Sequence, residues 1–141
     1  MATERASGGA NVVRRVFAAF NRGDSSEARE LWTEDAEWRP AYFGGGLVEG
    51  AVYRGQDEIA DFIAVQADTW ESLSATPLAF REAGGRVLVE VQIEAVGRTS
   101  GLPVERMTWN VFELRDGRIA SGRVYTTEAD ALDAFWEHPR P

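Results

Sequence analysis

Three stretches of alternating apolar and polar residues follow one another between residues 81 and 127, after a first half with helical patterning. In the first of them the apolar side chains recur at every second position, at Val87, Val89, Val91 and Ile93. A period of two residues is typical of a β-strand whose two faces meet different surroundings. Gly84-Gly85 and Asp116-Gly117 supply tight turns between the strands. We therefore expect an α+β domain, with helices on one face of a long, curved antiparallel sheet that encloses a pocket.

The composition excludes several kinds of chemistry. The 141 residues include no Cys and no Lys, and the one His, His138, lies among the last four residues. Thiol nucleophiles, lysine Schiff bases and zinc sites built from Cys are therefore excluded. A Ser-His-Asp triad would need a histidine from a tail that we expect to fray. Asp57 and Glu58 suit the first turn of a helix, so we predict neither a metal ion nor another cofactor.

Charge and hydropathy narrow the expected partners and location. The formal net charge of −8 repels phosphate backbones, so nucleic acid is not an expected partner. No stretch is long and apolar enough to span a bilayer, and residues 1–10 lack the apolar core of a signal peptide. Together with the absence of disulfides, these features predict a cytoplasmic protein with no membrane partner.

The hydrophobic pattern indicates a single domain at residues 11–137, between a flexible start at residues 1–10 and a tail at residues 138–141. Helices are predicted to follow Asn11, Asp24 and Gln56. Strands are predicted at residues 36–40 and 73–80, and a loop or hairpin at residues 41–52 contains Gly44-Gly45-Gly46. A last helix, starting at Thr127, is expected to bury Leu132, Phe135 and Trp136.

Four segments give the chain a family resemblance. They are, in order, VFAAFNRGD, LWTEDAEW, VYRGQDEIADFI and VFELRDGRIASGRVY. Their order and spacing resemble the SnoaL-like branch of the nuclear transport factor 2-like superfamily over residues 11–136. The resemblance implies a cone-shaped sheet wrapped round about three helices, an apolar cavity, and commonly a homodimer through the sheet. Relatives include ketosteroid isomerases, polyketide cyclases, limonene epoxide hydrolase, dehydratases and members without chemistry, so the fold alone does not define the function.

The acid and base groups of these relatives are missing at the corresponding positions. The resemblance places the isomerases' general base at Arg39 or Pro40 and their helix-1 tyrosine at Val16. Their protonated aspartate corresponds to Asn110, whose amide can still donate a hydrogen bond to a developing oxyanion. The acidic residue on the last strand of the cyclases corresponds to Val124. The resemblance therefore implies the cone without the familiar acid and base.

The predicted site combines two polar donors with an apolar lining. Asn110 and Tyr53 are the candidate catalytic residues, because an amide and a phenol can each donate to a carbonyl oxygen. The alternative for Asn110 is a structural hydrogen bond to neighbouring backbone. The candidate ligand-binding residues are Trp38, Tyr42, Phe62, Trp70, Phe112 and Val124. An ordinary core role is the alternative for the aromatic side chains, and Glu37, on the strand face opposite Trp38, suits a solvated or Arg-paired carboxylate better than a base.

Three functions are compatible with the sequence. The first is an isomerase-, cyclase- or dehydratase-type enzyme acting on a small hydrophobic, oxygenated molecule of polyketide, steroid or terpenoid type. The second is a non-catalytic carrier or sensor of such a molecule, and the third is a dimerising module whose cavity is ordinary core. A homodimer is expected through the outer sheet face, which carries Met107, Trp109, Val111, Arg123 and Tyr125.

Overall fold

The computed structural model describes residues 8–41 and 50–136, and within them the chain forms four α-helices and six strands. The helices are α1 (Gly8–Arg22), α2 (Ala28–Leu31), α3 (Gly55–Thr69) and α4 (Glu128–Trp136), and a 3-10 turn (Ser25–Glu27) precedes α2. The strands are β1 (Trp32–Arg39), β2 (Tyr53–Arg54), β3 (Trp70–Ala83), β4 (Arg86–Gly97), β5 (Pro103–Arg115) and β6 (Arg118–Tyr125).

All six strands form one curved sheet in the order β2-β1-β6-β5-β4-β3, and the sheet does not close. Its inner face is covered by α1 and α3, which bury the main hydrophobic core against it. The predicted α+β fold, a curved sheet round the helices, is therefore confirmed. Every neighbouring pair of strands is antiparallel except β1 and β6, which run parallel and make the sheet mixed. A parallel pair needs a long crossover connection, and here the whole chain between the two strands supplies it.

The first helix is amphipathic and buries Val13 and Phe17 against the sheet. It begins at Gly8 rather than after Asn11, so Asn11 lies inside the helix, where its side chain accepts a hydrogen bond from Arg14 at 3.1 Å. Gly23, with φ of +67°, ends the helix in a left-handed conformation that suits glycine. The following turn is capped as expected by Asp24, whose carboxylate accepts the Ser26 N–H at 3.2 Å.

The third helix and the strands at its two ends frame the inside of the cone. Glu58 accepts the N–H of Arg54 at 2.7 Å at the start of α3, and Arg98 donates to the carbonyl oxygens of Asp68 and Trp70 at its end, each at 3.1 Å. Between these ends α3 buries one stripe of side chains: Ile59, Phe62, Ile63 and Gln66. Its anchored ends hold this stripe at a fixed position over the sheet.

The last helix, α4, lies on the outer face of the sheet. Phe135 packs there against Leu88 and Val111, and Arg86 Nη1 donates to the Phe135 carbonyl oxygen at 3.1 Å. Trp136, expected to be buried, is 48% exposed. Successive helical residues point about 100° apart, so the helix cannot bury Phe135 and Trp136 equally against one flat face.

The position of α4 changes the surface expected for a dimer. Trp109 and Tyr125 pack against the apolar cluster beneath α4 and are half-buried, so they do not form an open patch. Met107 lies farther along β5, paired with Gln92 on β4. The outer face is therefore divided into a part covered by α4 and an open part around Met107.

Candidate functional site

A cavity of ≈ 100 Å³ lies between the sheet, α1 and α3. It is at the end of the sheet where β1, β4 and β6 finish and β3 and β5 begin. Its walls are almost entirely apolar, with the following side chains among them: Phe17 and Phe20 from α1, Ile59, Phe62 and Ile63 from α3, and Trp38, Leu73, Ala75, Ile93, Ala95, Phe112 and Val124 from the sheet. Roughly 150 Å³ of apolar space holds a benzene ring, so this cavity, at ≈ 100 Å³, is somewhat smaller than the space in which one such ring binds.

The inner end of the cavity is built from packed aromatic rings. Trp38 and Phe112 stack with an interplanar angle of 2° and centroids 6.1 Å apart. Phe62 meets Trp38 edge to face at 5.8 Å. This stack requires a glycine at position 122, because a Cβ there would lie 2.7 Å from the Phe112 ring. Gly122 therefore lets two rings lie close to β6 where any side chain would push them apart.

Two polar residues interrupt the apolar wall formed by β5. Asn110 and Thr108 are 3% and 1% exposed, and both line the cavity. The Thr108 hydroxyl donates to Asn110 Oδ1 at 3.4 Å. Among the described residues this is the only hydrogen bond of the Asn110 side chain, so the side-chain N–H groups have no protein acceptor there. Asn110 thus supplies hydrogen-bond donors in an otherwise apolar space.

Polar groups also lie on the helix side and at the mouth. Gln66, 4% exposed, lines the cavity from α3, and its Oε1 accepts the Trp70 indole N–H at 3.1 Å. Arg106 lines the mouth from β5, where it is exposed. Sequence reasoning missed Gln66, Thr108 and Arg106. The β5 pair had a usable signal, since Arg106 and Thr108 alternate with Asn110 and must share its face.

The structure brings most of the predicted site residues together. Trp38, Phe62, Trp70, Phe112 and Val124 all line the cavity with Asn110. Val124 is directly opposite Asn110 on the neighbouring strand. The expected alternatives for Asn110 were a ligand contact and a hydrogen bond to backbone. Among the described residues the Asn110 side chain bonds a side chain, that of Thr108, and not backbone.

Tyr53 and Tyr42 are not part of the cavity as described. Tyr53 lies on the edge strand β2, where its ring packs 5.0 Å from that of Phe62, and it does not line the cavity. The ring of Phe62 is therefore its neighbour, and not the amide of Asn110. Tyr42 and the triglycine segment lie outside the described residues. Glu37 pairs with Arg39 and Arg54 on the other face of β1, as the alternation predicted.

No carboxylate is found among the cavity-lining residues that the structure describes. Two carboxyl groups have a lowered pKa, and both are on the exposed surface. Hydrogen bonds from Arg115 and then Thr33 lower the pKa of Asp35, and hydrogen bonds from Ser26 and then Arg22 lower the pKa of Asp24. Neither residue lines the cavity, so these shifts reflect surface pairing and carry no implication for the site.

Two further searches of residues 8–41 and 50–136 gave negative results. No three His, Cys, Asp or Glu side chains are grouped so that they could hold a metal ion. None of the helices is both long and apolar enough to cross a membrane.

Comparison with known proteins identifies the family. The SnoaL-like domain matches residues 13–122 of this chain. The structure of Bal32a, from a soil-derived mobile gene cassette, superposes with a TM-score of 0.75 at 26% identity, covering 94% of this chain and 98% of that one. A Jannaschia protein described as a candidate SnoaL-like polyketide cyclase superposes with a TM-score of 0.72 at 17% identity, covering 95% of each chain. An uncharacterised protein of Mycobacterium tuberculosis is 25% identical over 131 residues, which is 89% of this chain and 94% of that protein.

The chain therefore belongs to the SnoaL-like domain family. The likeness to solved structures confirms the nuclear transport factor 2-like fold.

Proposed function

We propose that the protein binds a small hydrophobic molecule carrying an oxygen acceptor, and that Asn110 donates a hydrogen bond to that oxygen. The observation that carries this proposal is a buried asparagine in an apolar cavity, whose side-chain N–H groups have no acceptor among the described residues. A ligand carbonyl that accepts a hydrogen bond from this amide would contribute about 0.5–1.5 kcal/mol to binding. The indole N–H of Trp38, in the same wall, is buried without a partner among these residues, and leaving such a donor unpaired costs about 1–3 kcal/mol.

The empty volume supports an occupant as well. At about 24 cal/mol per Å³, a closed and dry cavity of ≈ 100 Å³ would cost roughly 2.4 kcal/mol, and the cost here is smaller because the mouth opens to solvent. A ligand that fills the space recovers part of this free energy and adds its own apolar burial. The apolar rings would hold a flat hydrocarbon body, and the buried amide would fix the orientation of its oxygen.

A catalytic role is the second candidate, of the isomerase, cyclase or dehydratase kind. One observation favours it: the amide of Asn110 occupies the position that the resemblance assigns to an oxyanion donor, and it lies in the cavity wall. A donor placed there would polarise the carbonyl group of a bound compound and stabilise negative charge that develops on its oxygen. The fold neighbours include proteins described as candidate polyketide cyclases. Cyclase-type reactions are therefore the first to test.

The proposal is tested with two probes of the same shape. Acetophenone carries a carbonyl oxygen where α-methylstyrene carries a CH₂ group. Binding of each is followed by NMR titration of the wild type and of Asn110→Leu, which keeps the volume and removes the donor. We expect the preference for acetophenone to fall by roughly fivefold in Asn110→Leu, since a net hydrogen bond contributes about 1 kcal/mol. Tyr53→Phe is the matched control, and its preference should equal that of the wild type.

Two results would contradict the proposal. One is that neither probe perturbs residues of the cavity. The other is that Asn110→Leu leaves the preference for acetophenone unchanged, which would make Asn110 a structural residue and the cavity ordinary core. A loss of preference in Tyr53→Phe would instead move the oxygen to the β2 edge.

We also propose that the protein forms a homodimer through the open part of the outer sheet face. The covered part, beneath α4, already has a partner within the chain. The open part holds Met107 and Gln92 and lies beside β3, which exposes Leu78 at 52%. An apolar side chain on an uncovered sheet is a feature of protein interfaces.

A further inference from the structure

Arg106 is the only charged residue among the described side chains that line the cavity. It lies on the inward face of β5, two residues before Thr108 and four before Asn110. Alternation along a strand places these three side chains in one row, running from the mouth to the buried amide. The cavity therefore has a hydrogen-bond donor at its inner end and a cation at its entrance.

The spacing of this row sets the length of a molecule that contacts both ends. Four strand residues span about 13 Å, and a hydrogen bond at each end takes about 3 Å, which leaves roughly 7 Å for the ligand between its terminal oxygens. One benzene ring with oxygen-bearing groups on opposite carbons has this length. The cavity volume of ≈ 100 Å³ allows no more than one ring, so the charged end of such a ligand would lie outside it, at the mouth.

The charge at the mouth selects between neutral and anionic groups. A guanidinium binds a carboxylate through two parallel N–H···O bonds, a geometry that neutral oxygens do not match. It carries five N–H donors, so it can bind a protein acceptor and a ligand oxygen together. The rest of the molecule repels anions, because its formal net charge is −8. An anion is therefore favoured locally, where the Arg106 guanidinium is close enough to outweigh the overall charge.

We propose that the ligand of this cavity is a carboxylate, with a carbonyl oxygen at the end opposite its negative charge. The carbonyl is bound by Asn110, the flat apolar body lies between the aromatic walls, and the carboxylate is bound by Arg106 at the mouth. This inference rests on the proposed function, since it uses the same cavity and the same amide, and it adds the charge and the length of the ligand.

The test compares 4-acetylbenzoate with 4-acetylbenzamide, which has the same shape and no charge. NMR titrations are made with the wild type, Arg106→Gln and Arg106→Lys, and acetophenone is titrated into each as a probe that does not reach the mouth. We expect the wild type to bind the carboxylate about fivefold more tightly than the amide. Arg106→Gln should remove this preference and Arg106→Lys should keep part of it, and the affinity of each protein for acetophenone corrects these values for any change in the cavity itself.

Salt gives an independent measurement. The preference of the wild type for 4-acetylbenzoate should fall in 0.5 M NaCl, because salt at about this concentration screens exposed charges beyond a few ångströms. The affinity for acetophenone should not fall under the same conditions.

The outcomes separate this inference from the function on which it rests. If acetophenone binds with a dependence on Asn110 but the carboxylate binds no better than the amide, the inference is wrong and the proposed function stands. A preference for the carboxylate that survives in Arg106→Gln also overturns it. If none of the three probes perturbs the cavity residues, the inference and the proposed function both fail.

Discussion

Val124→Phe should block ligand binding while leaving the protein folded. Val124 is directly opposite Asn110 in the β5–β6 pair and lines the cavity. Side chains at such paired positions are separated by about 5 Å at Cβ, so a phenyl ring at position 124 would occupy the space in front of the amide. The substitution therefore removes the volume and covers the donor in one change.

The size of the effect follows from the cavity. Filling all of the ≈ 100 Å³ at about 24 cal/mol per Å³ would add at most roughly 2.4 kcal/mol, and Val124→Phe adds only the difference in volume between the two side chains. We expect the free energy of unfolding to rise by about 0 to 2 kcal/mol, which corresponds to a melting temperature higher by about 0 to 6 °C for a domain of this size. A position already close-packed would instead lose about 1–3 kcal/mol.

Thermal unfolding by circular dichroism and NMR titration with acetophenone measure the two effects separately. Val124→Ala is the matched control, and it should lower the free energy of unfolding by about 1 kcal/mol while acetophenone still binds. The reasoning is refuted if Val124→Phe destabilises the protein by more than the alanine variant does. It is equally refuted if the phenylalanine variant binds acetophenone as tightly as the wild type.

Three further predictions concern the sheet and the surface. Gly122→Ala should destabilise the protein by about 1–3 kcal/mol, because the new Cβ would lie 2.7 Å from the Phe112 ring. Gly8→Ala is the control and should not destabilise it, because a Cβ there has no atom within 4 Å. Thermal melts measure both variants. Met107→Glu should shift a dimer toward monomer in analytical ultracentrifugation, and a wild type that is monomeric at high micromolar concentration would exclude the interface. Asp35→Asn should lower the melting temperature at pH 7. Because the folded-state pKa is lowered, the difference from the wild type should shrink as pH falls below the usual carboxyl pKa and be lost as pH passes through the folded-state pKa. A difference at pH 2.5 equal to that at pH 7 would contradict this.

The fold could be predicted from the sequence because local pattern and tertiary structure agree along most of the chain. The alternating segments form strands as expected, and the turns at Gly84-Gly85 and Asp116-Gly117 connect β3 to β4 and β5 to β6. The parallel pairing of β1 with β6 could not be read in this way. It is decided by a contact between segments about 80 residues apart, and no local period records which strands become neighbours.

The site was predicted in part for the same reason. Asn110 was found through the family resemblance, which aligns it with the isomerases' protonated aspartate, and strand alternation alone places Arg106 on the same face. Tyr53 was misplaced because its position depends on the edge pairing with Trp38, which turns it toward Phe62. Gln66 gave no signal of its own, since a buried glutamine on a helix is recognised only once its neighbours are known.

A crystal structure of the protein with acetophenone bound tests the central claim most directly. We expect density for one aromatic ring between Phe62 and the inner sheet face, with the carbonyl oxygen about 2.7–3.2 Å from the side-chain nitrogen of Asn110. Density confined to the outer face, or a ring in the cavity whose oxygen points away from Asn110 toward the mouth, would contradict the claim that this amide orients the ligand.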